Sequence, residues 1–336
     1  MKETLSDTRI RTVAIIVLAV ALVGWPLLGG SSYYWHIATI ALIGVILSLG
    51  LNVFLGWAGQ ANFGAAAFYA LGAYATALIE IKVGIHFLLA ALVIAPLVAG
   101  VVALALSYPL LRLRGHALAV GTLSLAYVFY IVVLSWTGFT GGENGLQAAI
   151  PTMFGESIRA GVGAYYVTLA AAALSATACI LFTSSRHGRA LKALGANEMV
   201  ASTMGIDILT YKRVAYVLNG VLCGLAGGLL TIENGMIAPA YFDVWQNIVI
   251  FLMVIVGGMG SNVGAMIGGA FIMLLPEALA SFKEYAIIMY GAVLLLAVRF
   301  TPKGLAGLLQ LGWTIGTPKT RERRTAAFVE QATREH

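Results

Sequence analysis

Apolar runs of about 17–25 residues recur along almost the whole chain, and that is the length a helix needs to cross the hydrocarbon of a bilayer. They lie near 12–30, 34–56, 62–80, 87–109, 116–136, 164–183, 214–232, 246–262, 264–281 and 285–300. A chain with 60% hydrophobic and only 10% charged residues has too little polar surface to fold around a core in water. The pattern predicts an all-α membrane protein of about ten transmembrane helices. Glycines interrupt the third, eighth and ninth runs, so these are expected to be broken or re-entrant. The first run competes with a secretory signal peptide. No small-x-small cleavage site closes it, and Trp25 with Tyr33, Tyr34 and Trp35 resembles an interfacial aromatic belt, so it is read as a retained span. The organisation expected is a short polar tail (1–11), one membrane domain (12–301) and a polar C-terminal tail (302–336).

The distribution of Lys and Arg tests that count. With the N-terminus in the cytoplasm, only Lys82, Arg159 and Lys283 of the 20 basic residues fall outside, while acidic residues divide evenly. A wrong helix count would scramble this parity. Both termini are therefore expected in the cytoplasm. The net charge of +6 follows from this asymmetry and does not argue for nucleic acid. The basic run Thr317 to Arg324 in the tail is placed to touch anionic membrane lipid.

The longest polar interval inside the apolar region, Ser184 to Arg213, falls on the cytoplasmic side. It carries Arg186, Arg189, Lys192, Lys212 and Arg213 against only Glu198 and Asp207. Good helix formers separate the charges, and Gly195 and Gly205 are potential helix ends. This predicts two short helices outside the bilayer, with Leu191, Leu194, Met199, Met204 and Ile206 offered to another protein. A solvated connector is the competing reading. Two loops face outward, 137–163 with GFTGGENGL and 233–246 with ENGMIAPAYFDVWQ. Each is either a docking face for an external partner or a plain connection.

Small residues recur at helix-face spacing. Gly220, Gly224 and Gly228 form one GxxxGxxxG array, and Gly260, Gly264 and Gly268 form another. Such spacing lets helix backbones approach closely in lipid. A second reading is that glycine-rich helix ends line a solute path, with Gln60, Asn62, Ser261 and Asn262 as its polar groups. Ionisable residues within the runs are few, which leaves no visible proton relay. Cys179 and Cys223 sit among small apolar neighbours as reduced packing residues. No metal cluster, catalytic constellation or cofactor motif is seen: HExxH, GxSxG and paired carboxylates at helical spacing are all missing, and so is the nucleotide cradle GxxxxGK[ST]. The chain is not expected to be an enzyme.

Four stretches in fixed order resemble the permease subunits of branched-chain amino-acid ABC importers, the LivM-like group. They are SLGLNVFLGWAGQANFGAAAFYALGAYATALI from Ser48, TGGENGL from Thr140, the long stretch from Gly188 to Leu230, and MVIVGGMGSNVGAMIGGAFIMLLPE with the later MYGAVLLLAVRFTPKGL. The resemblance implies that the Ser184–Arg213 loop is the coupling element that docks in a groove of a separate ATPase. Arg189, Ala190, Leu191, Ala193, Glu198, Ala201 and Gly205 match that pattern. The wider Glu-Ala-Ala signature is kept loosely, because Met199 and Val200 replace the alanines and Gly205 comes seven positions after Glu198. The partners it implies are a sister permease in a heterodimer, ABC ATPase subunits and an extracytoplasmic solute-binding protein, in a bacterial inner membrane. Alternatives are the permease of a urea or short-chain amide ABC importer and an ion-coupled secondary carrier.

Overall fold

The computed structural model describes residues 32–279, apart from 114, 149–151, 154–155 and 158–160, together with positions 24, 285, 288, 291, 292, 295, 304, 305 and 307. Seven described helices are long and apolar enough to cross a membrane. In chain order these are α1 (Ser32–Trp57), α2 (Ala65–Val83), α3 (Phe87–Leu110), α4 (His116–Ser135), α5 (Val162–Ser184), α8 (Ile208–Asn234) and α10 (Asn262–Leu279). Between α5 and α8 lie the short helices α6 (Arg186–Ala196) and α7 (Glu198–Thr203). The run expected at 246–262 becomes α9 (Val244–Gly257), only 14 residues long. At 1.5 Å per residue it covers about 21 Å, too short to span. It stops where Gly258 takes φ 114°, and the chain turns back into α10. The expected runs at 12–30 and 285–300 fall outside the continuously described residues, as do both tails.

Helix α8 is the axis of the molecule, and its small residues explain why. On one side Gly220, Gly224 and Gly228 face Ala103, Ala99 and Ala91 of α3. On the other side Gly227 sits against the backbone of Tyr69 and Ala73 in α2, and a Cβ added at Gly72 would strike the Gly224 backbone. Lipid tails are as apolar as leucine, so burial gives little drive for helices to associate there. Close backbone approach, with its dispersion and weak Cα–H···O contacts, supplies it instead. The second array splits. Gly264 and Gly268 of α10 receive the backbone of Gly257 and Met253 in α9. Gly260 lies in the turn before α10 at φ 75°, not on the helix face that its spacing suggested. Its contact is the Gly56 carbonyl of α1.

Helix α1 changes character in its last turn. From Val53 to Trp57 it widens into a π-helix, and the backbone is then irregular from Ala58 to Gly64. The third and ninth runs, expected to be broken, are instead the continuous helices α2 and α10, and the break lies ahead of α2. Gly59 has φ 67° there. Irregular backbone in a membrane protein needs protein partners for its polar groups, and three N–H groups of this segment have them. Gln60 N–H donates to the Phe54 carbonyl (3.2 Å), Phe63 N–H to Thr122 Oγ1 (3.1 Å) and Gly64 N–H to Asn62 Oδ1 (2.8 Å).

At the far end, away from the basic residues, the two outward loops are joined. Leu146–Gln147 pairs antiparallel with Met236–Ile237, and Ala148 N–H donates to the Gly235 carbonyl at 2.8 Å. Glu233, assigned from sequence to the loop, is instead the penultimate residue of α8. It is 2% exposed and accepts from or donates to His36 Nδ1 across 2.7 Å. Nearby, Tyr33 bonds to Glu277.

The glycine contacts give a direct test. Gly227→Ala puts a methyl into the Tyr69 carbonyl and should cost about 1–3 kcal/mol by overpacking. Gly138→Ala meets nothing within 4 Å and should change stability by less than about 0.5 kcal/mol. Thermal melting of the two variants in detergent, side by side, checks the difference.

Candidate functional site

The basic end of the molecule is built from α6, α7 and the irregular Ala58–Gly64 segment. Helix α6 begins at Ser185, whose Oγ accepts the N–H of Gly188. Arg189 turns back to donate to the Ser184 carbonyl, 3.1 Å away, which closes the end of α5. Leu191 and Leu194 are fully buried beneath α6. They hold the helix to the body, so they are not a ridge offered to another protein. Ala190 and Ala193 are half-buried beside them. Gly195 does not end the helix. It is the point where α6 lies on the backbone of Trp57, Ala58 and Gly59, where a Cβ would collide. Lys192 places its Nζ 4.2 Å from the centre of the Trp57 ring.

Helix α7 is capped by Asn197, whose Oδ1 accepts the N–H groups of Met199 (2.9 Å) and Val200 (3.2 Å). Its one buried side chain is Ala201. Gly205, at φ 78°, turns the chain into Asp207, the cap of α8. Hydrogen bonds from the Thr210 hydroxyl and N–H, then from Leu209 N–H, hold the Asp207 carboxyl below the usual carboxylate range. Of the five apolar residues expected to face a partner, Met199 and Met204 are exposed, at 78% and 76%, and so is Val200. Ile206 is half-buried.

Glu198 is the junction of these parts. Its Oε1 accepts from Lys212 Nζ at 2.7 Å and from Gln60 Nε2 at 2.9 Å. Lys212 is nearly sealed from solvent, whereas Glu198 is half-exposed. One carboxylate oxygen thus ties α7 to α8 and to the irregular segment. It also forms one wall of a cleft of about 500 Å³, lined further by Arg112, Ser202, Ile206 and Leu209. Next to Lys212 in α8, the Arg213 guanidinium lies 4.5 Å from the centre of the Tyr108 ring.

The four polar residues proposed from sequence for a path do not form one cluster. Gln60 belongs to the Glu198 junction. Asn262 sits at a second junction: its Oδ1 accepts from Trp57 Nε1 (3.2 Å) and Asn52 Nδ2 (3.4 Å), and its Nδ2 donates to Thr183 Oγ1 (2.8 Å). That knot joins α10, α1 and α5 directly under α6. Ser261 is engaged as a cap, accepting the N–H of Gly264 at 3.0 Å. Asn62 lies apart, at the start of α2. Sequence reasoning missed Asn52, Trp57, Thr183 and Lys212. Lys212 reads only as one of the charges of the Ser184–Arg213 interval, Asn52 and Thr183 lie inside apolar runs, and Trp57 falls between two of them.

This arrangement defines a class: a polytopic helical membrane protein with a small two-helix element wedged against a break in its bundle. Residues 33–298 match the model of the family described as the branched-chain amino acid transport system / permease component, and the chain belongs to that family. It is 32% identical over 344 residues to the high-affinity branched-chain amino acid transport system permease protein LivM of Escherichia coli, covering 95% of this chain and 78% of that protein. It is 24% identical over 307 residues to a probable LivM permease of Methanocaldococcus jannaschii, covering 77% of this chain and 89% of that protein. A shorter likeness, 34% over 131 residues, relates it to LivH of Escherichia coli, with 38% of this chain and 42% of that protein covered. No solved structure matches the chain significantly.

The Glu198 junction can be dissected. Glu198→Gln leaves Lys212 buried without its counter-charge and should lower stability by about 1–3 kcal/mol, less than for a fully buried pair because Glu198 is half in solvent. Lys212→Met should rescue a large part of that loss. A double-mutant cycle by thermal melting reads the coupling directly.

Proposed function

We propose that this chain is the membrane permease subunit of an ABC importer that moves branched-chain or similar small amino acids across the bacterial inner membrane. In this reading residues 12–301 are one membrane domain, both termini are cytoplasmic, and a sister permease supplies the other half of the pathway. Separate ATPase subunits drive the cycle, and an extracytoplasmic solute-binding protein delivers the solute. The observation that carries the mechanism is the Glu198 junction, where the exposed element α6–α7 is bonded to the break between α1 and α2.

The mechanism follows from what is exposed and what is fixed. Met199, Val200 and Met204 form an apolar patch on the basic end. They are the surface an ATPase groove would grip. Below the patch, α6 rests on Trp57–Gly59 without an intervening side chain at Gly195, so any displacement of α6 meets that backbone directly. ATP-driven closure of the ATPases would shift α6–α7 and swing the break with it. The glycine-locked unit of α2, α3 and α8 would then move as one body between outward- and inward-open states. The loops joined at Leu146–Ile237 form the far face to which the binding protein would deliver. The relatives are named for branched-chain amino acids, which favours that substrate over urea and short-chain amides, and over an ion-coupled carrier.

Two outcomes are expected. Replacing Met199 and Met204 together with Glu should reduce co-purification of the ATPase at least tenfold while the melting temperature of the permease stays within a few degrees. Glu198→Lys, or Gly205→Pro at a φ that proline cannot adopt, should depress ATP-driven uptake and solute-stimulated hydrolysis while membrane insertion persists. Normal solute-stimulated hydrolysis in both of the latter would refute the coupling role.

A further inference from the structure

Two buried side chains at the start of α2 carry amide groups that the fold only half uses. Asn62 is 1% exposed and Asn247, from the first turn of α9, is 2% exposed. Asn62 Oδ1 accepts the N–H of Gly64 at 2.8 Å, and Asn247 Oδ1 accepts the N–H of Ala66 at 2.9 Å. A backbone N–H can only donate. The orientation of both amides is therefore fixed, with oxygen toward the helix and nitrogen away from it. Each Nδ2 carries two N–H donors, and neither nitrogen has a partner among the described residues.

The wholly unpartnered groups at this point are donors: each amide oxygen already accepts a backbone N–H, while each amide nitrogen is left without a partner. The two oxygens are committed to backbone N–H groups two residues apart on the same turn. Thr122, the third side chain there, accepts from Phe63 N–H and donates to the Ala119 carbonyl, so its hydroxyl is engaged too. Behind the amides stands the N-terminus of α2, a helix of 19 residues, with the positive end of its dipole. Beside it the rings of Phe63 and Phe251 pack at 4.4 Å between centroids. Two amide donors anchored through their oxygens to one helix turn, with an apolar aromatic pair nearby, suit a carboxylate attached to an aliphatic group.

We propose that the Asn62–Asn247 amide pair before α2 is a transit site for the solute carboxylate, held by Asn62 Nδ2 and Asn247 Nδ2. The Phe63–Phe251 pair receives the aliphatic side chain. This deepens the importer reading and rests on it. The site is closed in this conformation, because both asparagines are buried. Asn62 belongs to the irregular segment, and Gln60, two residues before it, is the residue that Glu198 holds. Release of that tether is the step that would open the site. A site whose unpartnered groups are donors also discriminates. A carboxylate satisfies every donor, whereas a carboxamide turns its own NH₂ group against them.

The test is ATP-driven uptake of radiolabelled leucine by the complete complex in proteoliposomes, with leucinamide as competitor. Asn62→Asp and Asn247→Asp keep the oxygen that the backbone needs and replace the donors with an acceptor. Each should raise KM for leucine at least tenfold and shrink the preference for leucine over leucinamide. The preference is read within one preparation, so partial loss of folded protein cannot imitate it, and the variants sit on different elements should one fail to assemble. Wild-type KM and wild-type preference in these variants, with leucine still imported by the unmutated complex, would overturn the site and leave the importer standing. If the unmutated complex imports no amino acid, or imports it without ATP, the importer reading itself fails and the site with it.

Discussion

Backbone N–H and C=O groups have no water to turn to inside a bilayer, and this protein meets that constraint at one demanding place. From Ala58 to Gly64 the chain leaves helical geometry, and each of its freed groups must be met by a specific neighbour. Asn62, Thr122 and Asn247 supply acceptors on the α2 side of the break. Asn52 and Asn262 close the π-helical end of α1, where Asn52 Oδ1 accepts the Gly260 N–H at 2.9 Å. Gln60 then hands the segment to Glu198. The polar residues of the interior gather here because an irregular backbone needs them, and a backbone so held is free to be moved by whatever moves its partners.

The glycine arrays do the opposite job. Where Gly72 meets Gly224, and Gly228 meets Ala91, backbones touch with no side chain between them. Such contacts have no rotamers to relax, so α2, α3 and α8 resist internal deformation. A hydrogen-bonded break attached to a stiff block has the form of a lever. In the proposed cycle, force applied at α6–α7 would pass through Gly195 and Glu198 into the break, and the block would rotate as a whole.

The sequence makes the spans legible because length and apolarity fix them one at a time. The runs at 34–56, 87–109, 116–136 and 164–183 reappear as α1, α3, α4 and α5 within a few residues. The Gly220–Gly228 array is legible for the same reason: four-residue spacing puts it on one helical face. Gly260 misleads because its neighbours are turned, not helical, and spacing carries no face in a turn. Leu191 and Leu194 read as an outward ridge, since sequence alone cannot say which face of an amphipathic helix is already occupied. The junctions were hidden for a deeper reason. Gln60 and Glu198 are 138 positions apart, and only the docking of α6 on Trp57 brings them together. Glu233 was assigned to a loop because a carboxylate is a poor candidate for a buried helix until its partner His36 is seen.

Backbone hydrogen exchange of the intact complex, with and without ATP and vanadate to trap the closed ATPases, tests the lever most directly. The account predicts that protection changes together in α6–α7 and in Ala58–Gly64, while α2, α3 and α8 beyond their ends stay as protected as before. A change confined to α6–α7, with the break indifferent to the state of the ATPase, would contradict it.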